Sequence, residues 1–462
     1  MLLLVLLHLG GCAGQNAPRD DSAVVPPPSW QTAPGTTAAL DAAALSEWWQ
    51  AFEDPGLHEL IRVALADSPD LHGSLAKIAE ARARRGAAQA VLGPALNATA
   101  ASDDQRQRQR DAGVITTTTS ASAALEASWE PDLFGRQGLE VAAAEAELSA
   151  ARYTYAAARV ALAAEVATLY ISLREAETRL SLVEQTLASR EQTLRLECWR
   201  EQAGQGSALT TQQSTAVLEQ LRATLPGIRQ TIDQARHGLT LLSGHTPGAL
   251  NAVLVPQRPL PAAPSLPAAG IPAEVLRQRP DVRAAEQAVA AAQAHSGAAA
   301  RERLPSLSLS GSLGIEALRA GRLFDPLATT SAMVGSLTAP IFDSGRITQN
   351  IAVFDALEQQ ALASYRATVL KALTEVDKAL VARQQGSQRL QLLEPALEAA
   401  RTAEQLARLR HTAGTVDLLV LLEAQRTLLQ VEQEQLEARA DLLRHHIQLC
   451  TTLGGGWSHP SP

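Results

Sequence analysis

Leu139 to Ala203 reads LEVAAAEAELSAARYTYAAARVALAAEVATLYISLREAETRLSLVEQTLASREQTLRLECWREQA, with neither Pro nor Gly. At a rise near 1.5 Å per residue, one helix of that length extends about 100 Å. Leu162, Val166, Leu169, Leu173, Ala176, Leu180, Val183, Leu187, Arg190 and Leu194 step alternately by four and three. That is a heptad seam, broken only at Arg190, and it predicts a helical partner along the length. The partner follows in the chain. After Gly204-Gln205-Gly206, where Gly tolerates the left-handed geometry that ends a helix, Leu209 to Leu242 returns along the first helix.

The chain is duplicated. Pro69-Asp70-Leu71 recurs as Pro280-Asp281-Val282, an offset of 211 (280 − 69), and Leu92-Gly93-Pro94 recurs as Arg303-Leu304-Pro305 at the same offset. Phe134-Gly135-Arg136 answers to Ser344-Gly345-Arg346, Glu165-Val166 to Glu375-Val376, Arg200-x-x-x-Gly204 to Arg410-x-x-x-Gly414, and Leu242-Ser243-Gly244 to Thr452-Leu453-Gly454. These four sit at 210, and one register held through all the segments marks an internal repeat. The expected organisation is a first repeat over 46–250, a Pro- and Ala-rich linker over 251–272, a second repeat over 273–456 and a tail over 457–462. The hairpins are expected over about 139–244 and 346–454, the second turning at Gly414 with Pro395 kinking its outgoing helix.

Each repeat also carries strand character before its hairpin. Ser306-Leu307-Ser308-Leu309-Ser310-Gly311-Ser312-Leu313 alternates with period two, Ser on one face and Leu or Gly311 on the other. It predicts a strand over about 305–315, and Met333 to Ile341 a weaker one over about 331–341. In the first half, Leu96-Asn97-Ala98-Thr99-Ala100 predicts a strand over about 95–102. Ser120, Ser122, Glu126 and Ser128 alternating with Ala121, Ala123, Leu125, Ala127 and Trp129 predict another over about 115–129. Four strands with one wet and one greasy face leave open edges that lipid does not tolerate, and closure by several copies is the simplest remedy. A sheet half-buried against the helices satisfies the same alternation, so period two alone leaves both readings open.

The chain opens on Met1-Leu2-Leu3-Leu4-Val5-Leu6-Leu7-His8-Leu9, far short of the roughly 20 apolar residues that span a bilayer. It reads as a secretion signal. Leu9-Gly10-Gly11-Cys12 resembles a bacterial lipobox, so residues 1–12 are expected to be signal and lipobox, with Cys12 the lipidated mature N-terminus. Ala13, where an Asp would hold many lipoproteins in the inner membrane, favours the outer one. Each buried methylene contributes about 0.8 kcal/mol, so a multiply acylated Cys is a stable anchor. Residues 13–45, with Pro26-Pro27-Pro28, read as an extended tether. The remaining thiols, Cys198 and Cys450, are expected to lie too far apart along the helices to pair.

Forty Lys and Arg against 48 Asp and Glu give a net charge of −8, mixed along the chain, so no basic face awaits nucleic acid. An apolar content of 46% with only 3% aromatics fits closely packed helices. No catalytic constellation stands out. Gly204-x-Gly206 follows a helix, not a strand, and is no phosphate loop. His445 and His446 are adjacent and point about 100° apart on a helix, which suits neither metal ligation nor general-base work. The expectation is a chain that is not an enzyme and takes no cofactor.

Five stretches carry a family resemblance. They are Trp48-Trp49-Gln50-Ala51-Phe52-x-Asp54-Pro55-x-Leu57, Trp129-Glu130-Pro131-Asp132-Leu133-Phe134-Gly135-Arg136, Arg279-Pro280-Asp281-Val282-Arg283-Ala284-Ala285-Glu286, Pro340-Ile341-Phe342-Asp343-x-Gly345-Arg346 and Leu453-Gly454-Gly455-Gly456-Trp457. Together they resemble the TolC-like outer-membrane factors of tripartite efflux pumps, the NodT-type lipoproteins of resistance-nodulation-division (RND) systems. The resemblance implies a mainly α fold with a membrane β-barrel portion. Three copies would each give four strands to a twelve-stranded barrel and two coiled-coil hairpins to an α-helical periplasmic tunnel. It implies passive conduction across the outer membrane, with outer-membrane lipid around the barrel, a periplasmic adaptor (membrane fusion) protein at the tips and an inner-membrane RND-type transporter as energy source. Gly204, Gly206 and Gly414 would form the adaptor-facing tip turns.

The same resemblance implies a periplasmic gate at Asp417, with Arg200 and Arg410 as partners. Three carboxylates around a threefold axis would form a negative ring that favours cations. Read from the residues alone, Asp417 caps the returning helix, and the two roles are compatible. The first-half tip, Gly206-Ser207-Ala208-Leu209-Thr210, lacks the acidic residue often found there in the family. Two other readings share the lipobox and a hairpin. A periplasmic adaptor lipoprotein has one hairpin with flanking β domains, and a structural coiled-coil lipoprotein has no use for the Ser/Leu alternation.

Overall fold

The structure is a computed structural model and describes residues 45–109, 114–264, 277–317 and 329–457. The lipobox with Cys12, the tether before residue 45, the end of the expected linker and the tail beyond Trp457 lie outside the described residues.

A short 3-10 turn, Trp48–Phe52, leads into α1 (Pro55–Asp67) and α2 (Pro69–Ala90). The strands β1 (Ala95–Gln109) and β2 (Val114–Trp129) precede α3 (Arg136–Gln202), a helix of 67 residues. The chain returns as α4 (Ala208–Arg222) and α5 (Leu225–Leu242), then forms a single turn, α6 (Asn251–Leu254). The second half runs α7 (Pro280–Arg301), β3 (Ser306–Ala317), β4 (Thr329–Thr338), α8 (Arg346–Thr412), again 67 residues, and α9 (Leu418–Thr452).

Local chemistry starts these helices. Pro occupies the first turn of α1, α2 and α7, where its missing N–H costs nothing. Asp132 accepts from Gly138 N at 2.7 Å, and Asp343 from Gly345 N at 3.0 Å and Ile347 N at 2.7 Å, so an Asp just ahead of Gly-Arg serves the head of each long helix. The returning helix of the first hairpin differs from expectation: it breaks between Arg222 and Leu225, because Pro226 has no N–H to offer the preceding turn. In the second hairpin α8 continues as one helix through Pro395, and α9 returns unbroken.

The four strands form one antiparallel sheet in the order β1-β2-β3-β4. Its register pairs Ala98 with Leu125, Leu125 with Leu313, Trp129 with Leu309 and Leu307 with Leu337, which gathers one apolar face. Asn97 opposite Glu126, Glu126 opposite Ser312 and Ser306 opposite Thr338 build the polar face. The strands pack on one another, and among the described residues no helix packs extensively on either face. That removes the reading of a sheet half-buried on helices. The apolar face stays bare in the protomer, with Leu96, Leu313, Leu337 and Met333 all exposed, Met333 to 95%.

Strand ends differ from the sequence reading where the alternation fades. β1 runs on to Gln109 instead of ending near 102, because Asp103 to Gln109, polar throughout in sequence, pairs through its backbone with β2. β2 and β3 come close to expectation, and β3 reaches Ala317. β4 starts earlier, at Thr329, and ends at Thr338, just ahead of Pro340.

In the helical part, α2 and α7 flank the sheet-side half of α3, as the Arg85–Glu145 pair and the contact of His295 with Glu140 show. α5 and α4 flank the far half, through Arg236–Glu177, Arg229–Glu184 and Arg222–Glu191. Likewise α8 packs on α7 and then α9. Most of the α3 seam is buried, with Val166, Leu173 and Val183 inside. Arg190, which breaks it, is buried too and donates to the Val217 carbonyl of α4 at 3.3 Å. One stretch of α3 is long and apolar enough to cross a membrane, but half of it is buried in the sheaf. The main core gathers Trp48, Phe52, Leu57, Leu60 and Ile61 against Val166, Tyr170 and Ile171, with Leu239 and Leu443 closing it. Cys198 and Cys450 are both free.

Candidate channel gate

The two hairpins turn in the same way. Gly204 has φ +72° and Gly414 φ +70°, and in each the chain folds back on the last helical turn: Gln205 N donates to Arg200 O at 2.8 Å and Thr415 N to Arg410 O at 2.9 Å. These are Schellman-like ends that require left-handed geometry at the Gly. Gly206 is fixed by space instead, since a Cβ there would lie 2.9 Å from Glu201 N.

The repeat-equivalent positions Ser207 and Asp417 (417 − 207 = 210) then part ways. Ser207 caps α4, accepting from Leu209 N at 3.1 Å. Asp417 has the extended backbone of a cap, φ −70° and ψ 153°, yet its side chain takes no bond from α9. Its carboxylate is exposed, as is the Arg410 guanidinium, and neither has a side-chain partner among the described residues.

Arg200 is placed differently. It donates to the His411 carbonyl at 2.9 Å, sits 2.9 Å from His411 Nε2, and pairs with Glu197 at 3.2 Å. Glu197 also meets His411 Nε2 at 2.9 Å, and both side chains are 4% exposed. One turn further from the tip, Arg408 of α8 donates to Ser189 Oγ of α3 at 3.0 Å while held by Glu404. The outgoing helices of the two hairpins are therefore tied together at their last turns. Within the protomer Arg200 is committed to this latch and does not pair with Asp417. Glu197 and His411 were not singled out from the sequence. The repeat offset matches Arg200 with Arg410, whereas the contact is made to the next residue along.

A latched pair of hairpins, with a bare two-faced sheet at the other end of the same helices, is the frame in which the relatives become informative. The profile of the family described as Outer membrane efflux protein matches the chain twice, over residues 60–245 and 271–455. The chain belongs to that family. This efflux protein is 32% identical over 466 residues to the pyoverdine export outer membrane protein OpmQ of Pseudomonas aeruginosa, covering 99% of this chain and 96% of the relative. It is 33% identical over 462 residues to the outer membrane protein OprJ of the same organism, covering 98% and 95%. Its fold matches the solved outer-membrane channel OprN with a TM-score of 0.85 at 32% identity, across 94% of this chain and 100% of that one. Its place is the outer membrane and its role is efflux transport.

Proposed function

We propose that three copies of this protein close into the outer-membrane duct of a tripartite pump. The observation that carries the reading is the sheet. Both edges, β1 and β4, are open within the protomer, and its apolar face is uncovered. With four strands, β1 and β4 run in opposite directions, so β4 of one copy meets β1 of the next antiparallel and the ring closes with every backbone group paired. The Leu face then meets lipid, and the Ser, Asn and Glu face lines a wet lumen.

The long hairpins continue that lumen into the periplasm, and a lipid on Cys12 adds an anchor. Conduction is passive. An inner-membrane transporter of the RND type supplies the energy, and a periplasmic adaptor opens the tips. The Arg200–Glu197–His411 latch holds each copy closed from within, while the exposed Asp417 and Arg410 are available to pair between copies. Opening has to break the latch and separate those charges. Native mass spectrometry of the detergent-purified, lipidated protein is the test: a three-copy mass with one diacylated N-terminus per copy supports the reading, and a stable monomer contradicts it.

A further inference from the structure

Arg383 of α8 is a buried cation with no carboxylate partner among the described residues. Its guanidinium donates to Nδ1 of His446 on α9 at 2.8 Å and to the carbonyl of Pro264 in the inter-repeat linker, also at 2.8 Å. On the other long helix Arg174, fully buried, donates to the carbonyl of Pro256 in the same linker at 3.0 Å. Its charge is balanced by Glu177 at 2.5 Å, which also takes Arg236 at 2.9 Å. The two arginines hold matching positions in their helices: Arg174 lies 38 residues into α3 (174 − 136) and Arg383 lies 37 into α8 (383 − 346). Between them Arg258, in the linker itself, reaches Asp54 at 3.3 Å, and Asp54 also takes the Tyr170 hydroxyl of α3 at 2.6 Å.

A buried guanidinium is expensive unless its donors are used, and a charged donor makes the stronger kind of hydrogen bond. The linker supplies the matching group. Pro256, Pro259, Pro261 and Pro264 have no N–H, so their carbonyls are the backbone handles they offer. We propose that Arg174 and Arg383 are clasps that lock linker residues 256–264 onto the two long helices at one level, so that widening of the tunnel is confined to the tip side of that level. The clasped attachment stands on these contacts alone, and its consequence for opening rests on the gated-duct reading.

The test uses the full-length lipidated trimer and Arg174→Met and Arg383→Met, which keep an unbranched stem and remove the donors. Elastase, which cuts after small residues such as Ala262, probes attachment. Each variant is expected to raise cleavage between 256 and 264 about tenfold with the thermal melt still cooperative. Unchanged cleavage in a folded variant overturns the clasp. Should neither variant fold, the second measurement uses native clasps. Spin-label distances between copies are taken at the tip and at the height of Arg383, with and without Arg200→Ala. The proposal expects the tip to widen and the clasp level to stay fixed, and equal widening at both levels overturns it. A tip that fails to widen instead counts against the gate reading, and the clasp is then decided by elastase.

Discussion

The guanidinium of Arg200 lies 2.9 Å from the carbonyl oxygen of His411, a contact that joins the two halves of the duplicated chain across 211 residues. It connects the ends of α3 and α8, the two 67-residue helices among the described residues. Because Glu197 and His411 beside it are almost fully enclosed, salt screens the cluster far less than it screens an exposed pair.

Removing the guanidinium is expected to weaken the closed tip. Arg200→Ala removes one of the two donors to the His411 carbonyl, which keeps Gly414 N at 3.0 Å, and leaves Glu197 with one partner fewer, a local loss of about 2 kcal/mol for a hydrogen bond to a charged group. The thermal melt of the barrel and upper helices is expected to stay unchanged. Hydrogen exchange at residues 195–210 and 405–418 checks this: faster exchange in both hairpins is expected, and a change confined to one would show that the latch does not couple them.

The tip glycines separate backbone strain from steric clash. At Gly204 and Gly414 an added Cβ meets nothing within 4 Å, so alanine there suffers only from the positive φ, about 1 kcal/mol each. At Gly206 the Cβ would press on Glu201 N, and the turn itself must shift. Local protection at the tips should therefore fall more for Gly206→Ala than for Gly204→Ala or Gly414→Ala, with the latter two alike.

Acid should loosen the middle of the helical part. Burial, and then the charge of Arg383, hold the His446 pKa down to about 4 from an ordinary 6.5, and the ring must stay neutral to accept from Arg383. The unfolded chain thus takes up this proton first. The contribution of His446 is complete above about pH 6.5 and declines as the pH drops toward 4, by roughly 3 kcal/mol at 1.36 kcal/mol per unit. Thermal melts between pH 7 and 4 check it. Wild type is expected to lose stability through that window, and His446→Gln to begin lower and lose less.

Much of this was legible because long helices and repeats declare themselves over many residues. The α3 seam and the match of Arg200-x-x-x-Gly204 with Arg410-x-x-x-Gly414 placed both hairpin turns. The end of β1 was not legible, since Asp103 to Gln109 is an unbroken polar run without alternation and is held in the sheet by backbone pairing. The break at Pro226 had its signal in the sequence, but the apolar spacing around it read as one helix. The latch and the clasps were hidden for a different reason. Arg200 with His411, and Arg383 with Pro264, are contacts between segments far apart in the chain, and nothing in local spacing selects a partner carbonyl.

The central claim, a duct that three copies close and the tips shut, is tested most directly by single-channel conductance of the purified lipidated protein in planar bilayers, with wild type, Arg200→Ala and Asp417→Ala compared side by side. The account predicts discrete, small, brief openings in wild type that become larger or longer in both variants, with Arg200→Ala acting through the latch inside each copy. Discrete openings that neither substitution alters would place the gate elsewhere, and correctly trimeric protein that conducts nothing would contradict the duct itself.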